Sequence, residues 1–363
     1  MKQFGWFLTG FSLVLLFQVF FVWRYAWDWS ILVRVGADKP HRSLIEQELG
    51  PVICVDSGGH DGQVNYLIGR DPLDRHATSL VLSLSDNPPY RFRRILYPLL
   101  AGGFGSFGPY GVVCGLIFWT AVGGGLIAAS IANLTGRWQL PGLVIPLALM
   151  NPGIYLSAQV LTNDVLAMGL ALCGVALWFG NREMAAGIVL AAAVLVRETS
   201  ILVSLAIVLT ELRSGGRLRQ AIALSLISGM PFLLWSLWVR LNMPGGDGTE
   251  NLSLPFVGFY RSLYRWEDRP RVAFGIVTMV FTGASLWIAC KTDSRFIRIA
   301  CLVWIVLAFV LSDAVWEHPG NVLRAISPLW AFAALGYGNL KQQSGVDPGN
   351  PTGNAACMDS PSE

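Results

Sequence analysis

The chain has 363 residues, of which 53% are hydrophobic and 13% charged, well below the roughly 25% charged content of soluble globular domains. Its mean hydropathy is +0.52. Apolar windows at 6–22, 110–132, 221–241, 272–290 and 296–311 have about the length, roughly 20 residues, that crosses a bilayer. Composition therefore predicts an integral membrane protein. A net charge of only +3, from arginines scattered among the loops, argues against nucleic acid as a partner.

The first apolar run follows Met1-Lys2 and ends in Arg24-Tyr25-Ala26-Trp27-Asp28-Trp29. That flank is bulky and lacks a small-x-small cleavage site, so an uncleaved membrane helix is expected rather than a signal peptide. Taken along the chain, the apolar windows predict about ten transmembrane helices, at 5–23, 109–132, 140–157, 163–180, 184–196, 200–211, 218–241, 272–290, 296–312 and 321–339. Pro231 is expected to kink the seventh. The short fifth and sixth flank Arg197-Glu198 as a broken or tilted hairpin. Tryptophans near run ends (Trp6, Trp23, Trp138, Trp178, Trp316) fit an interfacial belt. The six cysteines show neither a disulfide framework nor metal-type spacing.

Lys2, Arg137, Arg182, Arg213, Arg217, Arg219, Lys291, Arg295, Arg298 and Lys341 fall on one side of this arrangement, which the positive-inside rule makes cytoplasmic. The long loop of about 24–108 is then external, as are the turns near Asp164, Arg197-Glu198, 242–271 and 312–320. Arg261, Arg265, Arg269 and Arg271 run against the rule, unless they form a phosphate-facing surface helix or the number of spans differs by one. The expected fold class is an all-α membrane domain over 1–340 with membrane-surface helices in its first loop. The polar tail at 341–363 is expected to be disordered.

Nearly every unusual ionisable residue maps to the external side. Charged groups at membrane depth are costly, so they tend to face a cavity. In Gly59-His60-Asp61-Gly62-Gln63 the glycines permit a tight turn, and Asp61 there has the chemistry of a general base for an acceptor hydroxyl. The plain alternative is a helix cap. His60 and Gln63 sit beside it as binding groups. Pro88-Pro89-Tyr90-Arg91-Phe92-Arg93-Arg94 reads as a turn and a short basic, aromatic surface helix. The forks of Arg91, Arg93 and Arg94 suit phosphate oxygens. Asp164 either joins the site or complements a helix N-terminus. Arg197 and Glu198 either pair with each other or orient a ligand. Arg324, one turn inside the last span, is in reach of a phosphate. Asp313, Glu317 and His318 carry the least weight. No Walker loop, nucleophile elbow or zinc-protease motif is present.

The stretches GHDGQVNYLIGRDP at 59–72 with YRFRRILYPLLA at 90–101, LSAQVLTNDVLAMGLAL at 156–172 and LVRETSIL at 195–202 together resemble the polytopic GT-C glycosyltransferase superfamily. Within it the chain looks like bacterial proteins of cell-surface glycopolymer formation, and more distantly like PIG-V-type mannosyltransferases. The resemblance implies an inverting glycosyltransferase in a bacterial inner membrane, with its site on the periplasmic face. The donor would be a polyprenyl-phosphate sugar and the acceptor a cell-envelope glycan or lipid. Asp61 stands at the position of the family's base, and Arg93, Arg94, Arg197 or Arg324 would steady the leaving phosphate. Many members carry two acidic residues or Asp-x-Asp in this loop. Here His60-Asp61 stands instead, so a divalent metal cofactor is possible but has no motif behind it. Two rival readings are a transporter of lipid-linked sugars or small solutes and a non-catalytic assembly subunit.

Overall fold

The computed structural model describes residues 2–55, 58–84, 87–244, 251–266 and 268–344. The chain is built almost entirely of helices. Eight of the expected segments are each one continuous helix: Lys2–Trp23, Pro109–Arg137, Asp164–Trp178, Glu183–Val196, Ile201–Ser214, Leu218–Asn242, Arg269–Lys291 and Arg295–Val310. Lys2–Trp23, Pro109–Arg137, Leu218–Asn242 and Arg269–Lys291 are long and apolar enough to cross a membrane. A 22-residue helix rises about 33 Å, slightly more than the hydrocarbon core.

The remaining two segments are not single helices. The 140–157 stretch divides into Val144–Leu149 and Pro152–Ala158. Asn151 accepts a hydrogen bond from the Gly153 amide at 2.9 Å, and Pro152, with no amide hydrogen, opens the second piece. The 321–339 stretch divides at Ile326 into Pro319–Ala325 and Ser327–Ser344, with Pro328 in the first turn of the second piece. That last helix runs past residue 340 into the expected tail, and residues 345–363 lie outside the described residues.

The first loop is a folded layer with its own apolar core. Ile31, Leu32, Tyr66, Phe92 and Tyr97 are fully buried and pack with Val112 and Leu116 of the Pro109–Arg137 helix. Each such side chain contributes roughly 1.5–3 kcal/mol through removal from water. The Tyr97 hydroxyl donates to the Leu116 carbonyl at 2.9 Å, and Glu48 accepts from Tyr66 at 2.6 Å and from Arg70 at 3.0 Å. Short helices fill this layer, Asp61–Arg70, Pro88–Phe92 and Leu96–Gly102 among them. Within this helical layer lies one small parallel pair, Val35–Gly36 with Cys54–Val55.

The basic turns gather at one end of the bundle. Arg217 donates to the Trp178 carbonyl and to Asn181, and Arg137 lies beside Gly180. The rings of Trp138, Phe179 and Phe296 stack edge to face at 5.1 Å, and Thr292 bonds Asn339 at 2.8 Å. The expected tryptophan belt is only partial. Trp6 and Trp23 are exposed, whereas Trp138, Trp178 and Trp316 are buried in the core, because their rings fill gaps between helix ends.

Candidate active site

The site lies at the end of the bundle opposite the basic turns. Gly59, with φ of +78°, makes the turn that brings the chain into the Asp61–Arg70 helix. Gly62 lets that helix start deep in the fold. A Cβ there would stand 2.7, 2.8 and 2.9 Å from the carbonyl oxygens of Val160, Val33 and Leu32, closer than any side chain tolerates. His60 is the extended residue before the helix, and its amide donates to the Arg34 carbonyl at 3.1 Å.

The N-cap residue His60 forms no side-chain cap bond, and Asp61 is the first helical residue. Its carboxylate instead turns to two arginines. Arg91 Nη1 donates to Oδ1 at 2.5 Å and Arg324 Nη2 to Oδ2 at 2.8 Å. Arg324 also donates through Nε to Asp164 Oδ2 at 3.2 Å and through Nη1 to Asn321 at 3.2 Å. Arg197 forms a second ion pair with Asp164. The Asp164 carboxylate further accepts from Thr162 at 2.8 Å and Ser157 at 3.1 Å. Arg94 holds Glu198 through two parallel bonds, at 2.8 and 2.5 Å, with its guanidinium 4.3 Å above the Tyr90 ring and bonded to the Tyr90 hydroxyl. Arg197 and Glu198 therefore pair across the site rather than with each other. The helix ends at Val196, Arg197 is extended, and the following 3-10 turn Glu198–Ser200 aims the two side chains apart.

Burial alone would raise the Asp61 carboxyl. The guanidiniums of Arg91, Arg324 and Arg94 outweigh it and hold the group ionised, well below the usual carboxylate range. Burial, with the cations of Arg324 and Arg34 nearby, pushes the His60 imidazole down to about 4, so it is neutral at pH 7.

Asp61, His60, Arg91, Arg93, Arg94, Arg197, Glu198 and Arg324 all line one cavity of roughly 1270 Å³, more than the roughly 300–1,000 Å³ typical of small-molecule sites. Two expected binding residues take other roles. Gln63 borders the cavity, but both ends of its amide are used. Oε1 accepts from the Gly36 amide and Nε2 donates to the Gly58 carbonyl, each at 3.0 Å, which fastens the turn. Asp164 is 3% exposed and lies behind the cavity wall. It holds two arginines that face the ligand space. Tyr90, Asn321 and Lys39 also line the cavity, and sequence reading did not single them out. Tyr90 stands inside the basic aromatic segment, which was the available signal, whereas Lys39 and Asn321 carry no local pattern.

Beyond the charged end the cavity continues as an apolar groove, walled by Leu205 and Val208 of one helix, Ile222, Leu226 and Leu233 of the next, and Leu307. Leu226 and Leu233 are 59% and 61% exposed, so the groove opens sideways. Asn251, Leu252 and Leu311 also line it, and Leu252 bridges Leu311. Arg265 lies at this end, paired with Asp313 at 3.4 Å and Glu317 at 3.5 Å, so its charge does not stand alone against the positive-inside pattern. Among the described residues no group of three His, Cys, Asp or Glu could hold a metal ion. Comparison with protein-family models, curated proteins and solved structures found no match to this chain.

Proposed function

We propose that this chain is an inverting membrane glycosyltransferase of the GT-C type that moves a sugar from a polyprenyl-phosphate donor to a cell-envelope glycan or lipid. One observation carries the reading: a single cavity joins an arginine-rich head to an apolar groove that opens sideways. That is the shape of a phosphate attached to a long hydrocarbon chain. The phosphate would lie among Arg91, Arg93, Arg94, Arg197 and Arg324, and the prenyl chain along Leu205, Leu226 and Leu233. About ten membrane crossings, with the cavity on the external face of a bacterial inner membrane, complete the proposal.

In the reaction the acceptor oxygen attacks the anomeric carbon from the face opposite the phosphate. The bond from that carbon to the phosphate oxygen breaks, and the electron pair leaves on the polyprenyl phosphate. The acceptor proton passes to Asp61. The arginines neutralise the charge that develops on the leaving oxygen, a contribution that grows in a site shielded from water.

The test is release of polyprenyl phosphate by the purified protein in lipid, offered a panel of polyprenyl-phosphate sugars and acceptors beside Asp61→Asn. Release by the wild type and its loss in the variant support the proposal. Full release by Asp61→Asn removes Asp61 as the base. Flux of an intact lipid-linked sugar across liposomes, without release, would favour a transporter.

A further inference from the structure

Asp61 cannot act as a base in the arrangement described, because each of its oxygens is engaged by a guanidinium, from Arg91 at 2.5 Å and Arg324 at 2.8 Å. Two guanidiniums on one oxyanion is also how proteins recognise phosphate. The two arginines come from separate elements, Pro88–Phe92 and Pro319–Ala325, so the carboxylate bridges them as a bound anion does. Arg324 does not depend on Asp61 for its position, since Asp164 and Asn321 hold it as well. Arg91 lies beside the Tyr90 ring at 5.5 Å. The backbone of Asp61 is fixed by the tight contacts behind Gly62, so release of the carboxylate needs only a side-chain rotation.

We infer that Arg91 and Arg324 form a phosphate seat that the Asp61 carboxylate fills as an internal surrogate, and that an incoming phosphate displaces it. The inference rests on the lipid-phosphate reading of the cavity. It adds an order of events: phosphate binds first, and only then is Asp61 freed to take the acceptor proton. An acceptor arriving alone meets a base still locked in an ion pair.

The seat is tested by equilibrium binding to the full chain in phosphatidylcholine nanodiscs, with undecaprenyl phosphate and inorganic phosphate as separate probes. Removing the surrogate takes the competing carboxylate off both arginines, so Asp61→Asn is expected to bind phosphate about tenfold more tightly or better, the lower end of what close charge pairs contribute. Asp61→Ser gives the same reading should the Asn variant misfold. Arg91→Gln and Arg324→Gln each weaken binding. In the Arg91→Gln/Arg324→Gln background the gain from Asp61→Asn disappears, which separates displacement from simple relief of charge repulsion. Equal or weaker phosphate binding by Asp61→Asn overturns the seat, and so does a gain that survives in the arginine-free background. If inorganic phosphate shows the full pattern while undecaprenyl phosphate does not bind, the seat stands and the lipid-donor reading falls. If undecaprenyl phosphate binds tightly without regard to Asp61, the donor reading stands and the seat falls.

Discussion

At the scale of single residues, the chemistry is set by cross-pairing that neighbours in sequence do not reveal. Asp164 is buried against both Arg197 and Arg324. Its loss leaves the buried Arg197 without this carboxylate and Arg324 with only Asp61 and Asn321, and breaking such a buried pair typically costs about 3–5 kcal/mol. Asp164→Ala is therefore expected to lower the thermal unfolding midpoint in mild detergent sharply. Asp164→Asn should lower it less, because the amide oxygen can still accept from Thr162 and Ser157. An Ala variant as stable as wild type would show that the ion pairs carry no weight. His60 gives a pH signature. In the unfolded chain it titrates near 6.5, and in the fold near 4. Between these values the unfolded chain binds a proton that the folded chain does not, so stability falls as pH drops from 6.5 to 4. His60→Gln lacks this loss, and its unfolding midpoint should decline less than that of the wild type across the same window. The sequence shows Asp61 as a lone carboxylate in a glycine-flanked turn. It cannot show that the carboxylate ignores the helix amides it could cap, because that depends on Arg324, 263 residues away.

At the scale of elements, most helices are legible from apolar length alone, whereas their breaks are not. The runs at 140–157 and 321–339 average out as single spans. One cap hydrogen bond at Asn151 and one proline at 328 outweigh that average, because a proline removes a hydrogen bond that the helix interior requires. These breaks have a use. The Pro152–Ala158 piece supplies Ser157 to Asp164, and the Pro319–Ala325 piece carries Arg324. The start of the Asp61–Arg70 helix is equally exacting. Gly62→Ala would drive a methyl into three carbonyl oxygens, an overpacking of the kind that costs about 1–3 kcal/mol. Gly62→Ala should lose stability, and since the same shift moves Asp61 off Arg324 it should tighten phosphate binding rather than weaken it. Gly216→Ala, in open space at the far end of the bundle, should leave both unchanged. Unaltered unfolding of Gly62→Ala would mean that the helix start is less tightly enclosed than these contacts require.

At the scale of the whole molecule, charge divides the bundle. Asp164 opens a helix at the cavity, and that helix ends at Trp178 among the basic turns. The next helix starts there at Glu183 and returns to Arg197. The same helices thus carry the positive turns at one end and the ligand cavity at the other, which is the asymmetry that the positive-inside rule reads as orientation. The segment holding Arg261 and Arg265 looked misplaced in sequence because the groups that pair with Arg265 are not its neighbours in the chain. The acidic partners Asp313 and Glu317 lie about 50 residues later in the chain. If the basic end is cytoplasmic, the cavity faces outward, where the proposed lipid-linked donor and envelope acceptor would meet. The orientation is open to direct test in a cysteine-free background. His76→Cys places a thiol on the first loop, where the native side chain is 84% exposed. Gly216→Cys places one on an exposed turn at the basic end. A membrane-impermeant maleimide added to intact cells should label position 76, and position 216 only after permeabilisation. The reverse pattern would put the cavity on the cytoplasmic face, where soluble nucleotide sugars are the available donors, and the polyprenyl-phosphate donor would lose its topological support.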